Sequence, residues 1–269
     1  MSYWHEKVAF VTGGSAGFGL MLARTLAAAG ARLALVDRDA ERLDIAVEQL
    51  KSEGRDAASF VADVTRADEV EAVVADAVRT LGKLDLLANI VGRSARGSVL
   101  DTTPEAFREL LELNFLSMVH GTRAAIPHLI RSKGHIINMG SLAAKSAARF
   151  LGAYPVSKFA VAAYSQQLRY ELAPLGIHVL LVCPGPMARP DAGQRYDHEA
   201  AGLPQSARQP GGGVKLKGIP PERLAAEVLR CCERRVPELV MPAKARLLFA
   251  LAQLWPSLAD RVLLNRTGG

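Results

Sequence analysis

Short apolar runs alternate along this chain with longer stretches in which apolar positions recur at helical spacing. The runs at 8–11, 32–36, 57–61, 84–88, 135–139 and 178–183 are expected to be buried strands. Helices are expected at 17–30, 38–53, 66–81, 104–131 and 153–175. Thr103 offers a capping oxygen and Pro104 a pre-set φ at the start of the longest one. Gly30 supplies a left-handed stop to the first. Strand–helix alternation favours a parallel sheet covered on both faces. With right-handed crossovers the result is an α/β, doubly wound parallel sheet of about seven strands, its ligand crevice at the carboxyl ends of the strands.

The periodicity lapses twice. Residues 184–220 are rich in proline and glycine, including Gly211-Gly212-Gly213, and carry no clear pattern. A long irregular segment beside the crevice is expected to be a substrate lid, with a plain surface insertion as the alternative. The stretch 242–269 is an apolar C-terminal extension, with no charge between Arg246 and Asp260. It is too short to span a bilayer. Three readings stay open for it: packing over the crevice or a second subunit, peripheral contact with a membrane surface, or a core helix. Trp255 and the flanking Lys244, Arg246, Arg261 and Arg266 suit the membrane reading. Either of the first two would favour a bulky hydrophobic substrate.

Length and composition narrow the field. The 269 residues suffice for one large domain spanning 1–269, and 49% hydrophobic with 22% charged residues is ordinary for a globular chain. The net charge of +6 is spread over the helices without a basic run, so nucleic acid is not an expected partner. Cys183, Cys231 and Cys232 match neither a disulfide framework nor a metal-site spacing, and no metal is expected. The first residues carry no signal-peptide pattern, and a cytoplasmic protein is expected, with surface association through the tail left open.

Two motifs carry chemistry. Thr12-Gly13-Gly14-Ser15-Ala16-Gly17-Phe18-Gly19 joins the first strand to the first helix. Glycines at that turn let backbone approach a pyrophosphate, and the helix N-terminus behind them attracts its charge. Tyr154 and Lys158 stand four residues apart, one turn along one helix face, with Ser141 thirteen residues before Tyr154. A phenol is a weak base at neutral pH, and a nearby ammonium is expected to lower its pKa. A serine hydroxyl can donate to a substrate oxygen as negative charge develops. Asp37, ending the second strand, can accept both ribose hydroxyls and repel a 2′-phosphate, which favours NAD(H). Arg38 beside it can hold that phosphate, so NADP(H) stays open.

With these motifs, residues 6–240 resemble the short-chain dehydrogenase/reductase family. The resemblance implies an NAD(P)-dependent oxidoreductase that interconverts an alcohol and a ketone. It implies Tyr154 as acid/base, Lys158 as its tuner and ribose ligand, Ser141 as oxygen donor, and Asn114 as holder of a water relay. It places Gly13, Ser15, Gly17, Phe18, Gly19, Asp37, Arg38, Asp63, Val64, Asn89, Gly92, Pro184, Gly185 and Met187 at the dinucleotide, with Tyr154 and Lys158. It further implies a homodimer or homotetramer built on the helices at 104–131 and 153–175. The chain departs from the family pattern at Ile90, Val91, Gly140 and Arg189. The departures at Ile90, Val91 and Arg189 motivate one alternative, a catalytically idle dinucleotide-sensing protein on the same fold.

Overall fold

The computed structural model describes residues 1–189, 196–209 and 217–267, with the side chains of 262, 263 and 265–267 excepted. The strands are β1 (Val8–Thr12), β2 (Arg32–Asp37), β3 (Ala57–Val61), β4 (Leu86–Asn89), β5 (His135–Met139), β6 (His178–Pro184) and β7 (Glu238–Met241). They form one parallel sheet in the order β3-β2-β1-β4-β5-β6-β7. The order reverses between β1 and β4, which opens a crevice at their carboxyl ends.

Period-2 alternation divides the strand residues between two helical layers. Ala9 and Val11 of β1 face α1 (Gly17–Ala28), α2 (Ala40–Ser52) and α8 (Pro221–Glu233), packing with Leu22, Leu43 and Val228. Val8 and Phe10 face the opposite layer of α3 (Ala67–Leu81), α5 (Ser117–Ser132) and α6 (Tyr154–Leu172), with Val74, Ala125 and Leu168. The helices stop where sequence allows: Gly82 takes φ +83° after α3, a conformation a Cβ would strain.

The helix expected over 104–131 is composite. α4 (Pro104–Leu111), capped by the Thr103 side chain on the Ala106 N–H, runs into a wider π turn over Glu112–Leu116 before α5 begins. Such bulges recur at functional sites because they re-aim one side chain; here that residue is Asn114. The seventh strand, unplaced by periodicity, is the edge strand β7 beside β6. Within 184–220 a short helix α7 (Gln205–Arg208) interrupts the irregular backbone, and Met187 bridges Ile219. Gly211-Gly212-Gly213 and Arg266 lie outside the described residues or side chains.

The C-terminal extension is two helices, α9 (Ala245–Leu254) and α10 (Pro256–Thr267), broken at Trp255 ahead of Pro256. No residue of α9 is fully buried, which removes the core-helix reading. Phe249 and Ala245 pack against Val240 and Leu181, on the β7 edge. A groove of about 450 Å³ runs there between α6 and α9, lined by Phe159, Gln166, Glu238 and Phe249. Ser141, Tyr154 and Lys158 do not line it. Leu247, Leu254, Trp255 and Leu258 stay exposed. Among the described residues no helix is long and apolar enough to cross a membrane.

At the opposite end of the sheet from the crevice lies a buried polar chain. The Tyr3 hydroxyl is 2.6 Å from His135 Nε2, His135 Nδ1 is 3.0 Å from His178 Nδ1, and His178 Nε2 is 2.8 Å from the Val236 carbonyl. A carbonyl only accepts, so His178 Nε2 donates. Its Nδ1 then accepts from His135 Nδ1–H, and His135 Nε2 accepts from Tyr3, with both rings neutral. Burial, then repulsion from His178, Arg235 and Lys7, pushes His135 down to about 3. Cys232 Sγ lies within 4.8 Å of the ring nitrogens. The hydrogen-bond chain already uses all four ring nitrogens, and the nearby cations oppose a metal ion.

Candidate active site

The glycine loop is built by backbone necessity at two positions. Gly13 takes φ +68°, and a Cβ on Gly19 would run into the Gly13 carbonyl. α1 opens behind an Ala16 cap that makes no side-chain bond, leaving its first N–H groups toward the loop. No atom lies within 4 Å of where a Gly17 Cβ would sit. A narrow cradle ending in free amides fits a pyrophosphate. Phe18 is buried in the core, so its side chain anchors the helix.

Asp37 is held at the rim of this loop. Its Oδ2 accepts from the Ser15 hydroxyl at 2.6 Å and the Ser15 amide at 3.4 Å, and its Oδ1 from the Asp39 amide at 3.3 Å. Arg38 is exposed. Asp63 Oδ1 accepts from the Thr65 amide and hydroxyl, at 2.9 and 2.7 Å, which holds its carboxyl below the usual range. Val64 is buried, its carbonyl 3.2 Å from His120 Nδ1.

The turn after β4 keeps its shape despite Ile90 and Val91. Their amides donate to Thr12 Oγ1 at 2.9 and 3.3 Å, and that hydroxyl donates to the Ala88 carbonyl. Asn89 donates to Asn138 Oδ1 at 2.9 Å, and Asn138 to Ser165 Oγ at 3.0 Å, a buried polar ladder across β4, β5 and α6. Gly92 is required by crowding: a Cβ would come within 2.8 Å of Asn114 Oδ1 and 3.5 Å of Lys158 Nζ.

The π turn aims Asn114 at that spot. Its side chain donates to the Arg93 carbonyl and Ser157 Oγ, each at 2.9 Å, and accepts from the Arg93 amide at 2.8 Å. Ser157 in turn donates to the Tyr154 carbonyl at 2.8 Å. Asn114 therefore fastens the post-β4 turn to the first turn of α6. Its side-chain amide is committed to protein partners.

Lys158 is buried, and its ammonium donates to the Met139 carbonyl at 2.7 Å. Desolvation pushes it down to about 8. Tyr154 is half-buried, with Lys158 Nζ 5.9 Å from its ring centroid. Burial raises the phenol pKa, while the adjacent Ser141 hydroxyl and the Arg96 cation oppose the rise. The expected lowering by Lys158 is not among the opposing influences; its ammonium is turned to the Met139 carbonyl. Ser141 caps the short 3-10 turn Leu142–Ala144, accepting from the Ala143 amide at 3.1 Å. Gly140 stands where the resemblance expects a serine, and a Cβ there would lie 3.0 Å from both Leu181 and the Val182 carbonyl.

Pro184-Gly185-Pro186-Met187 is pinned by Gly185 N–H to Met241 O at 2.7 Å and by Ile219 N–H to Pro186 O at 2.8 Å. Arg189 is exposed. Thus the structure gathers Gly92, Asn114, Ser141, Tyr154 and Lys158 at the carboxyl ends of β4 and β5, with the glycine loop beside them. Sequence reasoning passed over Thr12, Ser157, Cys183 and Arg96. Cys183 is buried beside Lys158, its thiol pushed up to about 12 by burial. Only Asn138 gave a signal, as a polar residue inside an apolar strand run.

Comparison with known proteins agrees with this geometry. The family model described as short chain dehydrogenase matches residues 7–200. The chain belongs to the short-chain dehydrogenase/reductase family. It is 32% identical to dehydrogenase/reductase SDR family member 7B of Danio rerio, over 97% of this chain and 85% of that protein. It is 32% identical to 2-(S)-hydroxypropyl-CoM dehydrogenase 3 of Xanthobacter autotrophicus, over 71% of this chain and 75% of that one. In fold it matches a short chain dehydrogenase/reductase from Burkholderia phymatum solved in complex with NAD. The TM-score is 0.81 at 24% identity, covering 94% and 96% of the two chains. This short-chain enzyme is therefore a dehydrogenase/reductase acting on CH–OH groups.

Proposed function

We propose that the protein interconverts a secondary alcohol and a ketone on a hydrophobic substrate, with NAD(H) favoured as cofactor. The observation that carries the reading is the grouping of Tyr154, Ser141 and Lys158 on the β5–α6 junction, beside a glycine cradle. When bound, the dinucleotide supplies the hydride acceptor or donor. Gly13, Gly17 and Gly19 and the α1 N-terminus would hold its pyrophosphate, and Asp37 its ribose. The carboxylate of Asp37, held in place by Ser15, supports NAD over NADP by repelling a 2′-phosphate.

This chain's own residues move the proton. The Tyr154 phenolate takes it from the substrate alcohol in oxidation, and the Tyr154 hydroxyl gives it to the substrate oxygen in reduction. The Ser141 hydroxyl donates to the substrate oxygen. Lys158 holds positive charge behind the phenol and would hold the nicotinamide ribose. Asn114 holds the loop and helix that frame them, and the backbone of Pro184, Gly185 and Met187 closes the nicotinamide side. The turn bearing Ile90 and Val91, two of the departures behind the idle alternative, is held by Thr12, which supports the catalytic reading. We propose a subunit contact, in a homodimer or homotetramer, on the helices at 104–131 and 153–175, where Ile130 of α5 and Val156 and Phe159 of α6 are exposed.

The test is the thermal midpoint with NAD, NADH, NADP or NADPH added separately, because binding to the folded state raises it. A larger shift with NAD or NADH is the expected result. A larger shift with NADP or NADPH would transfer the selector role to Arg38. No shift with any of the four would overturn the reading.

A further inference from the structure

Arg96 is a buried cation that the mechanism does not use. It lies in the loop between β4 and α4 and is 7% exposed. Its Nε donates to the Ala207 carbonyl at 2.7 Å, its Nη2 to the Gln209 carbonyl at 3.3 Å, and its Nη1 to Ser94 Oγ and the Ala95 carbonyl at 2.8 Å. The guanidinium stacks over the Tyr196 ring, 3.7 Å from its centroid. Glu199 accepts from the Arg96 backbone amide at 2.9 Å and sits 3.8 Å from Arg93. One residue thus binds 196–209 at four places by side chain and main chain.

The next residue ties this loop to the catalytic helix. Gly97 donates to the Phe150 carbonyl at 3.2 Å and accepts from the Gly152 amide at 3.1 Å, a short bridge just before Tyr154. The Tyr154 amide donates back to Leu151 at 3.1 Å. Burying a guanidinium whose side-chain bonds go to neutral groups is unfavourable. A lysine, as a point charge, cannot span two carbonyls and a ring as the planar fork does.

We propose that Arg96 is a positioning residue of the active site: it fastens the 196–209 segment onto the 94–98 loop and so forms the wall of the substrate cleft above Tyr154. This rests on Tyr154 being the proton-transfer group. The backbone bridge from Gly97 to Phe150 and Gly152, two residues before Tyr154, carries this fastening to the proton-transfer group.

Hydrogen exchange on the full chain tests it, comparing wild type, Arg96→Ala, Arg96→Lys and Tyr196→Ala. Arg96→Ala is expected to speed exchange at least tenfold in peptides covering 196–209, with residues 13–19 unchanged and the NAD-induced thermal shift retained. Arg96→Lys should recover only part of the protection, and Tyr196→Ala should show a smaller loosening of the same segment. With ethyl acetoacetate as probe ketone, Arg96→Ala should raise KM tenfold or more while kcat moves less than threefold. Unchanged exchange at 196–209 in Arg96→Ala, or full protection with lysine, would overturn the proposal. If Arg96→Ala does not fold, Tyr196→Ala decides by the same exchange readout. If the probe is not turned over, exchange decides alone. A wild type that binds no dinucleotide would sink the catalytic reading, while the exchange result would still judge the fastening.

Discussion

The two ends of the parallel sheet both bury polar side chains, by opposite rules. Where β5 and β6 begin, Tyr3, His135, His178 and the Val236 carbonyl form a closed chain of neutral donors and acceptors. Where they end, Lys158 and Arg96 are buried as cations whose hydrogen bonds go to carbonyls and a hydroxyl. Neutral, satisfied groups stabilise and do no chemistry at neutral pH. A cation desolvated beside a phenol, as Lys158 is, keeps a field at the place where a substrate oxygen gains charge, while Arg96 holds the wall beside it. The comparison separates an end that holds the fold from an end that holds a reactive field.

Removing the phenol is the sharpest way to break this contrast. Tyr154→Phe should lower kcat by about 10²–10⁴-fold, the usual range for a positioned acid/base. The dinucleotide-induced thermal shift should survive. Wild-type turnover in this variant would remove the proton-transfer role from that end of the sheet.

The opposite end should speak through pH. The His135 pKa is about 3 in the folded chain and near 6.5 when unfolded. The unfolded state therefore binds the extra proton between those values. Stability from neutral His135 is full above about pH 6.5 and is lost as pH falls toward 3, by roughly 3–5 kcal/mol in total. His178 is shifted in the same direction by burial. A thermal-midpoint series from pH 7.5 to 4 should decline more steeply for wild type than for His135→Leu. Parallel curves would mean that the rings do not titrate as buried neutral groups.

Smaller effects test the cradle. Gly19→Ala forces a Cβ against the Gly13 carbonyl and should destabilise by about 1–3 kcal/mol, with weakened dinucleotide binding. Calorimetry with and without NAD would separate the two losses. Smallest, Thr103→Ala should cost about 1 kcal/mol, since it removes only the oxygen that caps α4 on Ala106. A denaturant midpoint measures it, and catalysis should not change.

Local chemistry was readable from the chain. The strands Arg32–Asp37 and His178–Pro184 lie where apolar runs put them, because a strand buried on both faces shows as a near-continuous apolar run. Gly13 and Gly19 stood out because a turn at positive φ and a close backbone approach each exclude a side chain. The π turn at 112–116 was not legible, since Leu113-Asn114-Phe115 fits an ordinary helix equally well. What selects the wider turn is Asn114 reaching Arg93 and Ser157, contacts made only once α6 has packed. The partner of the tail was not legible for the same reason: an uncharged run records hydrophobicity, not which face finds a partner.

The sequence by itself determined the alternation of strands and helices, the glycine turn, and the one-turn spacing of Tyr154 and Lys158. Each depends on φ preferences or on periods spanning a few residues. Tertiary structure alone decided that Arg96 is buried, that His135 meets Tyr3, and that Lys158 turns to Met139. The Arg96–Ala207 and Tyr3–His135 bonds join residues 111 and 132 positions apart. No local pattern encodes such pairs, because a long polar side chain looks the same in sequence whether it meets water or a distant carbonyl.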